Sequence, residues 1–166
     1  HYLLTLRPLK KIKAPKPGQF FMLSVDNSLD PLLKRPFSLY RWLGQDFQLL
    51  YRIVGKATKI LKDKEPGDIL EVLGPLGNGF HPVNKKIKPI FIAGGLGVVP
   101  LVALAESIIQ QSQIPPRPPL SKGGWGDFKP VFFIGAKTKQ ELLNIGALKS
   151  MGINPVISTD DGTLGR

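Results

Sequence analysis

The chain has 166 residues, 42% of them hydrophobic and 21% charged, which suits one well-packed core or two small ones. It holds no cysteine and only two histidines, which excludes disulfides, thiolate catalysis and cysteine-ligated zinc or iron-sulfur centres within these residues and makes a histidine metal site an improbable expectation. Lys plus Arg outnumber Asp plus Glu by 23 to 12, a formal charge of +11 that favours anionic partners: phosphate-bearing cofactors or nucleic acid.

No apolar run approaches the roughly 20 residues of a membrane span. The richest, PIFIAGGLGVVPLVALA, is broken by glycines and by Pro100. Nothing at the N-terminus reads as a signal peptide, and the absence of an initiator Met gives the expectation that the chain begins inside a longer protein. The expected setting is cytoplasmic, with no membrane partner.

In chain order, residues 1–84 read as short strands divided by turn signals, the pattern of a small antiparallel barrel. The candidate strands are HYLLTLRP, QFFMLSVD, RPFSLYRW, FQLLYRIV and DILEVLG. In the fourth, Phe47, Leu49, Tyr51 and Ile53 alternate with Gln48 and Arg52, so one side is expected to be buried and the other wet. Pro-Gly pairs in KPGQF and EPGD mark turns, and GKATKILKDK has the length of a short helix. The half ends on GPLGNGF, residues 74–80, whose composition by itself indicates a turn.

The basic, proline-punctuated stretch HPVNKKIKP carries the expected boundary, with the second half taken as residues 85–166. PIFIAGG then reads as a strand covered on both faces, and VPLVALAESIIQQ as a helix with Leu101, Leu104, Ala105 and Ile108 on one stripe. PVFFIGA reads as a second buried strand, TKQELLNIGALKSM as a helix capped by Thr138, and PVIST as a third strand. That alternation predicts a partial parallel, Rossmann-like half-sheet. A Pro/Gly-rich insertion, IPPRPPLSKGGWGDF, interrupts it at about 114–129 and reads as a surface segment without function.

The chemistry-bearing stretches are turns. Gly94, Gly95 and Gly97 join a strand to a helix at the carboxyl end of a parallel sheet, where bare amides and a helix start favour phosphate; Pro100 suits the first helical turn. In RPFSLY, Arg35 offers a fork suited to pyrophosphate, and Ser38 shares a strand face with Pro36. YRIVGKAT runs a strand into Gly55, Lys56 and Thr58 at a helix start. Each of these alone could be an ordinary turn or edge strand; their succession along the chain is what points to a ligand. In STDDGT, Asp160 and Asp161 are neighbours and point apart in an extended chain, so a ribose hydroxyl or a ligand amide suits them better than paired-carboxylate catalysis. No G-x-S-x-G elbow or catalytic triad is present, and no catalytic residue is assigned. The lysine groups lack the aromatic interleaving of a nucleic-acid surface and read as solvated faces.

With RPFSLY, YRIVGKAT, GPLGNGF, GGLGVVPL and STDDG in this order, the chain resembles the ferredoxin-NADP reductase superfamily over nearly its whole length apart from the insertion. Within it, the chain is most similar to the electron transfer subunits of dihydroorotate dehydrogenase B. The resemblance implies an FAD-binding barrel in which Arg35, Pro36, Phe37 and Ser38 meet the flavin and its pyrophosphate. Arg52, Ile53, Val54, Ala57 and Thr58 would complete that site, with Ala57 where the family usually has Gly. Gly94, Gly95 and Gly97 would face the pyrophosphate of NAD, with Asp160 or Asp161 near its ribose or nicotinamide. Gly77, Asn78 and Gly79 are then read as backbone kept bare beside the meeting point of flavin and nicotinamide, with Phe80 as an apolar wall or interdomain contact.

The resemblance further implies an FMN-containing dihydroorotate dehydrogenase catalytic subunit as partner in a heterotetramer. Electrons from dihydroorotate would reach FAD and NAD through a 2Fe-2S cluster held by C-terminal cysteines. Those cysteines are absent here, so the expectation is a chain truncated at both ends, with a cluster-free relative as the alternative. Other readings are a related reductase, such as a hydrogenase gamma subunit or an NADH-dependent ferredoxin-NADP reductase subunit, and a colourless basic barrel that binds nucleic acid.

Overall fold

The structure is a computed structural model that describes residues 1–26, 30–81, 88–113 and 129–165. Two compact units divide the chain, His1–Phe80 and His81–Arg166. The boundary expected after residue 84 and the Pro/Gly-rich stretch both lie outside the described residues.

The first unit is a five-stranded antiparallel sheet made of β1 (Tyr2–Leu6), β2 (Phe20–Ser24), β3 (Arg35–Leu43), β4 (Asp46–Tyr51) and β5 (Glu71–Leu76), in the order β1-β4-β3-β2-β5. One short helix, α1 (Lys56–Lys62), connects β4 to β5. Alternation decides the faces: Phe21 and Leu23, Phe37 and Leu39, and Phe47, Leu49 and Tyr51 all turn into one core. Within it the Phe21 and Phe47 rings stack at 4.1 Å, and Phe37 meets Tyr51 edge-on at 5.8 Å. Ile53 lies past the end of β4. The fifth strand starts later than its apolar run suggests and takes in Gly74, Pro75 and Leu76. Its pairing with β2 shifts register there, and Pro75 is tolerated because β5 is an edge strand.

The second unit is a parallel sheet of β6 (Ile90–Gly94), β7 (Val131–Ala136) and β8 (Val156–Thr159), with α2 (Val98–Gln113) and α3 (Ile145–Ser150) as its helices. Phe91, Ala93, Phe132 and Ile134 form its buried face, and the Phe91 and Phe132 rings meet edge-on at 5.0 Å. Helix α2 buries Val98, Val102, Ala105 and Ile108, whereas Leu101 and Leu104 are only half-buried, so the stripe is rotated from the one expected.

Two further expectations are corrected. Ile90, Ile92, Phe133 and Val156 are exposed, so among the described residues the sheet is covered on one face, not two. A sheet that grows in one direction through right-handed crossovers carries both of its helices on the same side. The helix expected to begin at Thr138 is instead a single 3-10 turn, Lys139–Glu141, followed by an extended Leu142 and a left-handed Asn144 before α3 begins. Thr138 makes no side-chain capping bond.

Leu49 is fully buried, and Leu3 stands half-exposed on β1. Urea unfolding of Leu49→Ala is expected to show a loss of about 3 kcal/mol, against less than about 0.5 kcal/mol for Leu3→Ala.

Candidate functional site

RPFS occupies the first positions of β3. Phe37 belongs to the core, while Pro36 and Ser38 stand on the exposed face. Pairing of Leu39 with Leu49 sets Ser38 across from Leu50, Leu50 pairs with Leu3, and Phe20 pairs with both Ser38 and Leu76. A row of Leu3, Leu50, Ser38, Phe20 and Leu76 therefore crosses the whole sheet on its outer face, one hydroxyl among apolar side chains. Arg52, Ile53 and Val54 follow the end of β4 at Tyr51, with Arg52 and Val54 exposed and Ile53 half-buried. Arg35 is half-buried, and its Nη1 donates to the Leu33 carbonyl at 3.0 Å.

Helix α1 begins five residues after β4 ends. The Thr58 hydroxyl donates to the Gly55 carbonyl at 3.0 Å and accepts from the Val54 and Gly55 amides at 3.0 and 3.2 Å. Being buried and committed, that hydroxyl shapes the turn; what Thr58 can offer a ligand is its backbone amide, together with those of Lys56 and Ala57, which have no acceptor within the helix. Ala57 is part of the core with Tyr51 and Leu61, so its methyl is used inward and does not obstruct these amides. Lys56 Nζ pairs with Asp30 at 2.6 Å, tying the helix start to the segment that precedes RPFS.

Beyond β5 the loop proper is Gly77–Phe80. Gly79 has φ 73°, and a Cβ there would sit 3.0 Å from both Lys16 Cβ and the Pro17 carbonyl oxygen. The Phe80 amide donates to that same carbonyl at 2.8 Å, and the Phe80 ring lies against Gly18. The KPGQ turn packs on Gly79, which by itself accounts for a glycine at that position. Gly77 and Asn78 are exposed.

In the second unit, Gly94 closes β6, Gly95–Gly97 form one 3-10 turn and Val98 opens α2. A Cβ at Gly94, Gly95 or Gly97 would meet nothing within 4 Å, so packing does not account for these glycines. Asp160 and Asp161 lie along the same carboxyl edge of the sheet, their amides donating to Ala136 and Lys137 at 3.0 and 3.2 Å. Asp161 accepts from the Thr163 hydroxyl at 2.7 Å and from its amide at 3.1 Å, and the Lys139 amide donates to Thr163 Oγ1 at 3.1 Å. These Thr163 bonds, the hydroxyl first, hold the Asp161 carboxyl below its ordinary range. Asp161 is therefore engaged in building the turn, and exposed Asp160 is the better placed of the two to meet a ligand.

Sequence reasoning missed Gln19, Asp30 and Thr163. Only Thr163 carried a usable signal, its two-residue spacing from Asp161, which is that of an Asx turn. Among the described residues no cluster of His, Asp or Glu could hold a metal, and no helix is long and apolar enough to cross a membrane.

No family model matches the chain. It is 36% identical over 153 residues to the dihydroorotate dehydrogenase B (NAD(+)) electron transfer subunit of Desulforamulus reducens, a match covering 90% of this chain and 52% of the relative. The subunit of the same name from Geobacillus kaustophilus is 36% identical over 168 residues, covering 99% and 59%. A flavohemoglobin from Malassezia yamatoensis, solved with bound FAD and heme, matches with a TM-score of 0.76 at 18% identity, covering 99% of this chain and 43% of that one. The NADH-dependent reduced ferredoxin-NADP oxidoreductase matches at 0.69 and 22% identity, covering 99% and 56%. The chain has the ferredoxin-NADP reductase fold. Within that fold its sequence relatives are the dihydroorotate dehydrogenase B electron transfer subunits, and it spans between half and three-fifths of the length of those compared above.

Gly79→Val is expected to lower the urea-unfolding free energy of the first unit by about 2 kcal/mol or more, from strain at positive φ and collision with backbone. In the second unit the depressed Asp161 pKa means that its contribution to the turn is complete above the unfolded carboxyl value, about 3.9, and is lost as pH falls through the lower folded value. The Thr163 amide resonance should titrate with a midpoint below that of a free carboxyl, and Asp161→Asn should abolish the titration; an ordinary midpoint would contradict the assignment.

Proposed function

We propose that this chain is the FAD- and NAD-binding part of an electron transfer subunit, passing electrons between flavin and NAD for the oxidation of dihydroorotate to orotate in pyrimidine biosynthesis. The observation that carries the reading is a contrast between glycines. Gly79 is accounted for by a neighbouring turn and a positive φ, whereas Gly55, Gly94 and Gly97, at helix starts, leave open space where a Cβ would stand; Gly95 leaves open space too, but its φ of 51° itself favours glycine. Exposed amides with empty space above them suit pyrophosphate, and FAD and NAD carry one each.

In the first unit, taken as the FAD-binding domain, Arg35 and the amides of Lys56, Ala57 and Thr58 would meet the pyrophosphate. Pro36 and Ser38, with only the backbone of core residue Phe37 between them, and Arg52, Ile53 and Val54 would line the flavin, where the row centred on Ser38 presents apolar surface and a single hydroxyl. In the second unit, taken as the NAD-binding domain, Gly94, Gly95 and Gly97 would bind the pyrophosphate and Asp160 a ribose hydroxyl. When bound, flavin and nicotinamide supply the hydride chemistry themselves. The chain's own residues bind and orient, so the absence of a catalytic triad is no obstacle. A 2Fe-2S cluster does not fit the residues present, since the chain has no cysteine, and no step is assigned to one. The name shared by the relatives supports a separate catalytic subunit as partner, here proposed to be the FMN-containing dihydroorotate dehydrogenase subunit, with the cytoplasm as the setting.

The purified chain should be yellow, or become so with added FAD, and release FAD on denaturation. Arg35→Gln should weaken FAD binding about tenfold or more, the value of a charge-assisted contact, and Gly97→Val, at a position without a positive φ, should weaken NADH binding while FAD binding stays unchanged. A colourless chain that cannot be reconstituted, yet binds single-stranded nucleic acid with steep salt dependence, would replace this reading with the nucleic-acid one.

A further inference from the structure

We propose that Gln19 is a positioning residue that orients the Gly77–Asn78 peptide so that the Asn78 amide is presented to the flavin; this rests on the flavin reading above. Gln19 touches Leu39, the residue that follows the flavin-lining RPFS, and Gly77, in the loop that the resemblance sets beside the flavin. Its carbonyl accepts from the Leu39 amide at 3.0 Å, directly after Ser38. Its side chain accepts from the Lys16 amide through Oε1 at 2.8 Å and donates to the Gly77 carbonyl through Nε2 at 2.6 Å. The next residue, Phe20, pairs with Ser38 on one side and Leu76 on the other.

A trans peptide holds its C=O and N–H antiparallel. With the Gly77 carbonyl drawn onto Gln19, the Asn78 N–H points away from Gln19, and Asn78 is exposed. Gly77 permits this with φ 81°. Neutral amide chemistry is required at position 19, because one end must accept and the other donate. Glutamate keeps the acceptor for Lys16 and loses the donor for Gly77; leucine loses both.

The test compares wild type, Gln19→Glu and Gln19→Leu at a temperature where all three are folded by circular dichroism. FAD affinity is read by flavin fluorescence, the bound flavin by its visible band shape, and the loop by the Asn78 amide resonance without ligand. Both variants should bind FAD about threefold to tenfold more weakly, the worth of one hydrogen bond, with an altered visible band and a displaced Asn78 resonance. The thermal midpoint should fall less for Gln19→Glu, which retains the Lys16 bond. A purely structural role predicts wild-type affinity and band shape in the folded variants, or flavin effects that follow the thermal midpoint, and either result overturns the proposal. If wild type takes up no FAD, the flavin reading itself fails and the role proposed for Gln19 toward flavin falls with it. The Asn78 resonance then reports separately: a displaced signal in Gln19→Glu keeps the peptide-orienting contact, and an unmoved one removes that as well.

Discussion

Strand β2 is paired on both sides at Phe20, to Ser38 of β3 and to Leu76 of β5. That double pairing is the constraint on which the first unit's chemistry depends. It brings RPFS and the GPL that opens GPLGNGF, far apart in the chain, to neighbouring positions on one sheet face. It also puts the turn that precedes Phe20 against the loop that follows Leu76, where Gln19 donates to the Gly77 carbonyl and the Phe80 amide donates to the Pro17 carbonyl. The outer face is left with apolar side chains around a serine hydroxyl because inward-facing partners of the same strands are used up in the core.

The glycines separate into two kinds once their surroundings are known. Gly18, Gly74 and Gly79 are close to atoms of their own unit, so a methyl group would collide with a ring or a carbonyl. Gly55, Gly94, Gly95 and Gly97 have no such neighbour, and each lies where a helix begins and its first amides lack acceptors. Composition cannot distinguish the two, since both read as turns. The acidic pair is exposed at both positions but divides by its bonds: the Asp161 carboxylate accepts from Thr163, while that of Asp160 takes no part in that turn.

Much of the architecture was legible beforehand because it follows from local periodicity. Alternation in FQLLYRIV predicted the buried side of β4, and GKATKILKDK predicted α1. The failures have identifiable causes. TKQELLNIGALKSM has helical composition, yet Leu142 turns extended and Asn144 adopts a left-handed conformation, which local propensity does not forbid. PIFIAGG is apolar on both sides, and composition could not say that its described helices lie on only one of them.

By itself the sequence determined the order of elements, the alternation that forms each core face and the positions of bare, anion-suited turns, all of which depend on residues close together in the chain. Only the tertiary structure decided which glycines face space and which face a neighbour, that the Thr58 hydroxyl is spent on its own helix start, and that Gln19 reaches Gly77, 58 positions away. Those outcomes depend on strand register, which is set by the joint burial of side chains from several strands and is not encoded in any one of them.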